Sequence, residues 1–137
     1  MGWYECLKRR LDEHKNDDTT ASCETSPCER ALHRKLAKVN EEDGHVVRLR
    51  LLFSGDVQGV GFRWTNQNVA RQHHLTGWVK NLSDGTVAME IQGSPAAVSA
   101  HLALIHAPYA KLSHRIWLEK AEELAADTSE QDFDVHM

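Results

Sequence analysis

Long apolar runs are missing from this chain of 137 residues. No stretch approaches the roughly 20 residues of a membrane-spanning helix, so no bilayer span is expected. The opening "MGWYECLKRR" has no apolar core, so no secretory signal peptide is expected either. Gly2 follows Met1, but Cys6 stands where a myristoylation signal has Ser or Thr. Positive charge is also short: 16 Lys and Arg face 20 Asp and Glu, for a net charge of −4. That argues against a polybasic nucleic-acid binder, and any anionic ligand must be drawn by a local field. Cysteine is scarce too. The three residues, Cys6, Cys23 and Cys28, are odd in number and confined to the first third. A secreted disulfide framework uses an even, dense set, so reduced thiols and a cytoplasmic location are expected. Cys23 and Cys28 with His14 and His33 lack a second ligand pair at finger spacing, so no metal site is expected.

What is present reads as globular. Apolar residues make up 41% and charged residues 26%, and the length suits one ordinary domain with an appendage. The appendage is residues 1–45. Within it "HKNDDTTASCETSPCER" has no large aliphatic residue and too little apolar surface to offset the entropy of ordering. The expectation is an extension that is disordered or forms short helices. Trp3, Leu7 and Leu11 lie at i, i+4 and i+8. A second helix is better marked: Ser26 as N-cap, Pro27 at the first position and Glu29 completing a capping box. Its stripe is Leu32, Leu36 and Val39. Whether these helices pack on the domain, dock a partner or form only transiently stays open in the sequence.

Residues 46–137 are patterned throughout. "VVRLRLLFS" alternates as a strand, with Val47, Leu49, Leu51 and Phe53 on one face. "RWTNQNVARQHH" has no Gly or Pro and puts Phe62, Val69 and Ala70 on one helical side. "LTGWVKN" and "TVAMEIQG" read as a hairpin about "LSDG". Ser94 and Pro95 open a second helix, with Val98, Leu102 and Ile105 inward. "LSHRIWLEK" alternates through Leu112, Ile116 and Leu118, and "FDVHM" has period two. The order is β-α-β-β-α-β with an extra strand-like piece. This predicts an α+β, ferredoxin-like split βαβ sandwich: an antiparallel sheet with two helices on one face. That fold hosts many functions, so the site must carry the argument.

The candidate site is "GDVQGVGFR", Gly55 to Arg63, between the first strand and the first helix of the pattern. Three glycines permit positive φ and remove Cβ atoms that block close approach. Successive backbone N–H groups can then converge on an anion, helped by the N-terminus of the following helix. Arg63 closes the concavity with a planar fork suited to phosphate. Several known phosphate motifs do not fit. A nucleotide P-loop ends in Gly-Lys-Ser/Thr, and here Phe62-Arg63 follow Gly61. A dinucleotide fingerprint has a third glycine where Trp64 stands. A Cys-x5-Arg phosphatase has its nucleophile where Val57 stands.

"GDVQGVGFR" followed by "GWVKNLSDGTV" resembles the two signature blocks of the acylphosphatases, and the resemblance extends from about Val46 to the C-terminus. It implies a ferredoxin-like domain over 46–137 that hydrolyses the carboxyl-phosphate bond of acyl phosphates without metal or cofactor. It implies that Gln58, Gly59, Val60, Gly61 and Phe62 supply backbone donors to the phosphate. It gives Arg63 the role of phosphate-binding arginine, and Asn81 that of the catalytic asparagine that positions water. The implied partner is a small-molecule acyl phosphate, with no nucleic acid and no membrane. The implied state is a monomer, with a partner for the extension left open. The competing expectation is a non-enzymatic phosphate or carbamoyl-phosphate binding module. The finger-type cysteine pairs of the larger maturation enzymes that carry such a domain are missing, which favours a stand-alone enzyme. Thr65 and Asn66, in the first turn of the helix, are positioned to hydrogen-bond the loop. Asp56 departs from the family, which commonly has a basic or neutral residue there. A carboxylate beside an anion site opposes binding unless it turns away.

Overall fold

The computed structural model describes residues 25–39 and 44–136. The helix expected at Trp3, Leu7 and Leu11 lies outside them, as do Cys6, His14, Cys23 and Met137.

Helix α1, Pro27–Ala37, begins as its sequence predicts. The Ser26 hydroxyl accepts the Glu29 amide at 3.0 Å, and proline takes the first turn. The return half of the expected capping box does not form. Glu29 instead turns its carboxylate into the protein, where the His106 Nε2 lies 2.9 Å away. The Ser26 hydroxyl also donates to the Leu118 carbonyl at 2.6 Å. Leu32 and Leu36 are buried, and α1 packs on the domain.

Strand β1, Val47–Gly55, buries Val47, Leu49, Leu51 and Phe53, the face its alternation assigns. Helix α2, Phe62–Gln72, then leads to the hairpin of β2, Thr76–Asn81, and β3, Val87–Gly93. Asp84 closes the hairpin turn by accepting from the Thr86 amide at 3.0 Å. Helix α3, Pro95–Leu104, is capped by Ser94, which accepts the Ala97 amide at 3.2 Å. A one-turn helix α4, Ala107–Ala110, follows. Strand β4 is Ile116–Leu124 and β5 is Phe133–His136.

One boundary is corrected. Leu112 is not part of β4 but lies exposed in the turn after α4. The Tyr109 carbonyl accepts the amides of both Leu112 and His114, and Ser113 has φ of 57°. The chain is therefore turning there, and only Ile116 and Leu118 of the three alternate inward.

The sheet order is β4-β1-β3-β2-β5. β1 pairs antiparallel with β3 and β4, β2 pairs antiparallel with β3, and β5 runs parallel to β2. The ferredoxin-like arrangement is thus extended by one strand to a mixed sheet. Helix α2 lies over β2 and β5, α3 over β3, and α1 against β4 and α3. The core between these layers includes Phe53, Phe62, Met89, Ile91, Leu102 and Phe133. On the other face Arg48 is buried between Glu90 at 2.9 Å and Glu130 at 2.7 Å. This topology brings the β1–α2 loop, the end of β2 and the end of β5 to one end of the sheet.

Candidate active site

The loop after β1 is anchored by its apolar side chains. Val57 and Phe62 are each 1% exposed, and the Phe62 ring meets Phe53 edge-on at 5.3 Å. With those side chains in the core, the main chain between them forms the surface. Gly59 and Gly61 adopt φ of 75° and 76°, a conformation that side-chain-bearing residues rarely take. Gly61 is the N-cap of α2, and no side chain caps that helix.

From Val57 to Phe62, six consecutive residues, no backbone N–H donates to a protein acceptor among the described residues. Four N–H groups at any helix N-terminus lack an intrahelical acceptor, and here the unpaired donors continue back along the loop to Val57. The five residues predicted as donors, Gln58 through Phe62, all lie within this row.

Arg63 is the second residue of α2. Its Nη1 donates to the His136 carbonyl on β5 at 2.9 Å. His136 is the register partner of Lys80 on β2, one residue before Asn81. The topology therefore brings Arg63 and Asn81 to neighbouring strand ends. Asn81 pairs with Val87 in the hairpin and lies on the helix-bearing side of the sheet, in phase with Gly77 and Val79. Its Oδ1 is buried with no hydrogen-bond partner among the described residues. A buried amide oxygen is stabilised by a hydrogen-bond donor.

Asp56 is turned away from the row of amides. Its carboxylate accepts the Arg115 amide at 2.8 Å, while its own N–H donates to the Arg115 carbonyl at 2.7 Å. The charge is thus tied to the start of β4. Asn66 reaches the end of the loop, as expected: its Nδ2 donates to the Phe62 carbonyl at 2.8 Å, and its Oδ1 meets the His101 Nε2 at 2.8 Å. The Thr65 amide donates to the Gly61 carbonyl at 3.0 Å, and its hydroxyl reaches the loop through the Tyr109 hydroxyl, which lies against the Val60 carbonyl. Trp78 is half-buried and stacks on the His136 ring at 5.4 Å, while Lys80 is exposed.

The side chain of Gln58 has a part that the sequence did not signal. Its Nε2 donates to the Leu82 carbonyl at 2.8 Å and the Thr86 carbonyl at 2.9 Å. One amide thereby ties the loop to the hairpin end just past Asn81. Among the described residues no cluster of His, Cys, Asp and Glu could hold a metal ion.

The Acylphosphatase family profile matches residues 49–135, more than half of the chain. The chain is similar to the acylphosphatase of Geobacillus kaustophilus, with 50% identity over 60 residues. That match covers 44% of this chain and 64% of the relative, so the chain spans less than two thirds of it. The acylphosphatase of Geobacillus thermodenitrificans is 47% identical over 77 residues, 55% of this chain and 81% of that protein. The crystal structure of acylphosphatase from Bacillus subtilis aligns with a TM-score of 0.56 at 25% identity, covering 66% of this chain and 99% of that one. With the profile spanning most of the sheet and both strand ends of the site, the chain belongs to the acylphosphatase family.

Proposed function

We propose that this chain hydrolyses acyl phosphates to a carboxylate and inorganic phosphate. The observation that carries the proposal is the row of six unspent amides at residues 57–62, beside Arg63 and Asn81. Main-chain donors and a guanidinium suit the three equatorial oxygens of a phosphoryl group in transfer, where positioning and electrostatics provide most of the acceleration. Gln58, Gly59, Val60, Gly61 and Phe62 offer N–H groups to those oxygens, and Arg63 neutralises their charge. The acyl carboxylate is a good leaving group, so no strong general acid is needed. Asn81 cannot take a proton at neutral pH, but its Oδ1 can orient a water in line with the leaving oxygen. The water oxygen bonds to phosphorus, and the phosphorus–oxygen bond to the acyl group breaks. The carboxylate leaves with the bonding pair, and the proton from water passes to a phosphoryl oxygen. These groups need no metal or cofactor for the step.

The site is proposed to lie wholly in residues 46–137, with 1–45 as an extension, and the protein to act as a cytoplasmic monomer on a small molecule. No helix among the described residues is long and apolar enough to cross a membrane.

Two variants test the roles. Arg63→Gln is expected to lose most phosphate affinity and turnover, by about a hundredfold or more. Asn81→Ala is expected to lose turnover while the inhibition constant for inorganic phosphate changes little. Near-wild-type hydrolysis of benzoyl phosphate by either variant sinks the assignment. Saturable phosphate binding by the wild type without phosphate release points instead to a binding module.

A further inference from the structure

Tyr109 lies on α4, far along the chain from the loop, and is 3% exposed. Its ring packs edge-on against Phe62, with centroids 5.9 Å apart. Its hydroxyl is 3.2 Å from the Val60 carbonyl oxygen and 2.9 Å from the Thr65 Oγ1. A carbonyl can only accept, so the single phenolic proton goes to Val60 and the Thr65 hydroxyl donates to the phenol. The result is a directed chain from Thr65 through Tyr109 to Val60.

In a trans peptide the C=O and the following N–H point in opposite directions, and no cis bond occurs among the described residues. Holding the Val60 carbonyl toward the buried phenol therefore turns the Gly61 N–H to the open side of the loop. Gly61 has φ of 76°, and glycine accepts either sign of φ with little cost. Without an anchor the Val60–Gly61 peptide is free to rotate and present its carbonyl oxygen to an anion. We propose that Tyr109 is a positioning residue: through the Val60 carbonyl, its hydroxyl fixes the Gly61 N–H as a donor to the substrate phosphoryl group. This rests on the reading of residues 57–62 as the phosphate cradle.

The test uses the full chain and inorganic phosphate as probe. Tyr109→Phe keeps the ring and its contact with Phe62 and removes only the hydroxyl. It is expected to weaken phosphate inhibition, and to raise KM for benzoyl phosphate, by about tenfold, the effect of one lost charge-assisted hydrogen bond. Thr65→Val is expected to move both in the same direction by less. In a phosphate titration followed by amide NMR, the Gly61 signal is expected to respond in the wild type. In Tyr109→Phe it is expected to lose that response, while the signals of Gln58 and Gly59 keep theirs. Loss of fold alone would alter all three together, so the selective loss is the supporting result. Unchanged phosphate inhibition with an unchanged Gly61 response in Tyr109→Phe overturns the positioning role and leaves the cradle intact. A wild type whose loop amides ignore phosphate overturns both.

Discussion

Gly55 ends β1 with φ of 96°, and a Cβ there would lie 2.3 Å from the Arg115 carbonyl oxygen. Gly59 has a similar φ, but a Cβ there meets no atom within 4 Å. The two glycines therefore separate steric from conformational cost. Gly59→Ala is expected to lose about 1 kcal/mol of stability from the left-handed backbone alone. Gly55→Ala is expected to lose more, about 3 kcal/mol, because backbone must move as well. Urea unfolding of both variants measures the difference, and equal losses contradict the steric account. The glycine-rich turn and the place of Arg63 in the helix after it were legible in the sequence, because local residues set both. The partners of Gln58 and Asp56 were not, since Gln58 holds carbonyls 24 and 28 residues away and Asp56 an amide 59 residues away. Tyr109 carried no signal at all, because nothing in "APYA" reveals that its hydroxyl meets Val60.

At the scale of elements, α1 is the informative case. Its start was readable from Ser26-Pro27 and its stripe from Leu32 and Leu36, but Val39, expected on the same stripe, lies past the helix end at Ala37, and the docking face was not readable. Glu29 is fully buried against His106, and the His33 Nδ1 lies 2.6 Å from the Ser99 Oγ. These partners are 77 and 66 residues away, so a local rule such as the capping box assigns Glu29 to the wrong neighbour. The Ser26 hydroxyl serves both the α1 cap and the Leu118 carbonyl on β4, an edge strand. Ser26→Ala is expected to cost about 1–2 kcal/mol. Its kcat/KM for benzoyl phosphate is expected to stay at the wild-type value, because no described hydrogen bond joins α1 to the loop or to Asn81. A drop in kcat/KM without a matching loss of stability would show that α1 reaches the site. The strands were legible from their alternation. The start of β4 was misread because Leu112 happens to continue the period across a turn.

Across the whole molecule, burial of titratable groups makes stability depend on acid. Burial, with a smaller contribution from the charge of His73, pushes His101 down to about 3. The Asn66 Nδ2 is spent on Phe62, so its Oδ1 accepts and the His101 Nε2 donates, which requires only a neutral ring. The folded protein therefore resists a proton that the unfolded chain accepts below its ordinary value of 6.5. Stability is expected to fall as pH drops from about 6.5 toward 3, by roughly 5 kcal/mol over the full window. Glu29 acts in the same direction. Burial alone would raise its carboxyl, but the His106 hydrogen bond and the His33 imidazole 3.5 Å away, with their charge, outweigh that and hold it below the ordinary range. Its contribution is present at neutral pH and is lost as pH falls through that lowered value. Urea midpoints at pH 7, 5 and 4 are expected to fall in sequence, and His101→Gln, which keeps a donor for Asn66, is expected to flatten the slope. A wild-type midpoint that does not change between pH 7 and 4 contradicts this account.

The molecule as a whole is proposed to hold a phosphoryl group with its backbone and to bring water to phosphorus. Hydrolysis of benzoyl phosphate by the full chain in oxygen-18 water tests that claim most directly. The expected result is release of phosphate that carries the label, with unlabelled benzoate. Label in the benzoate, or no release of phosphate, contradicts it.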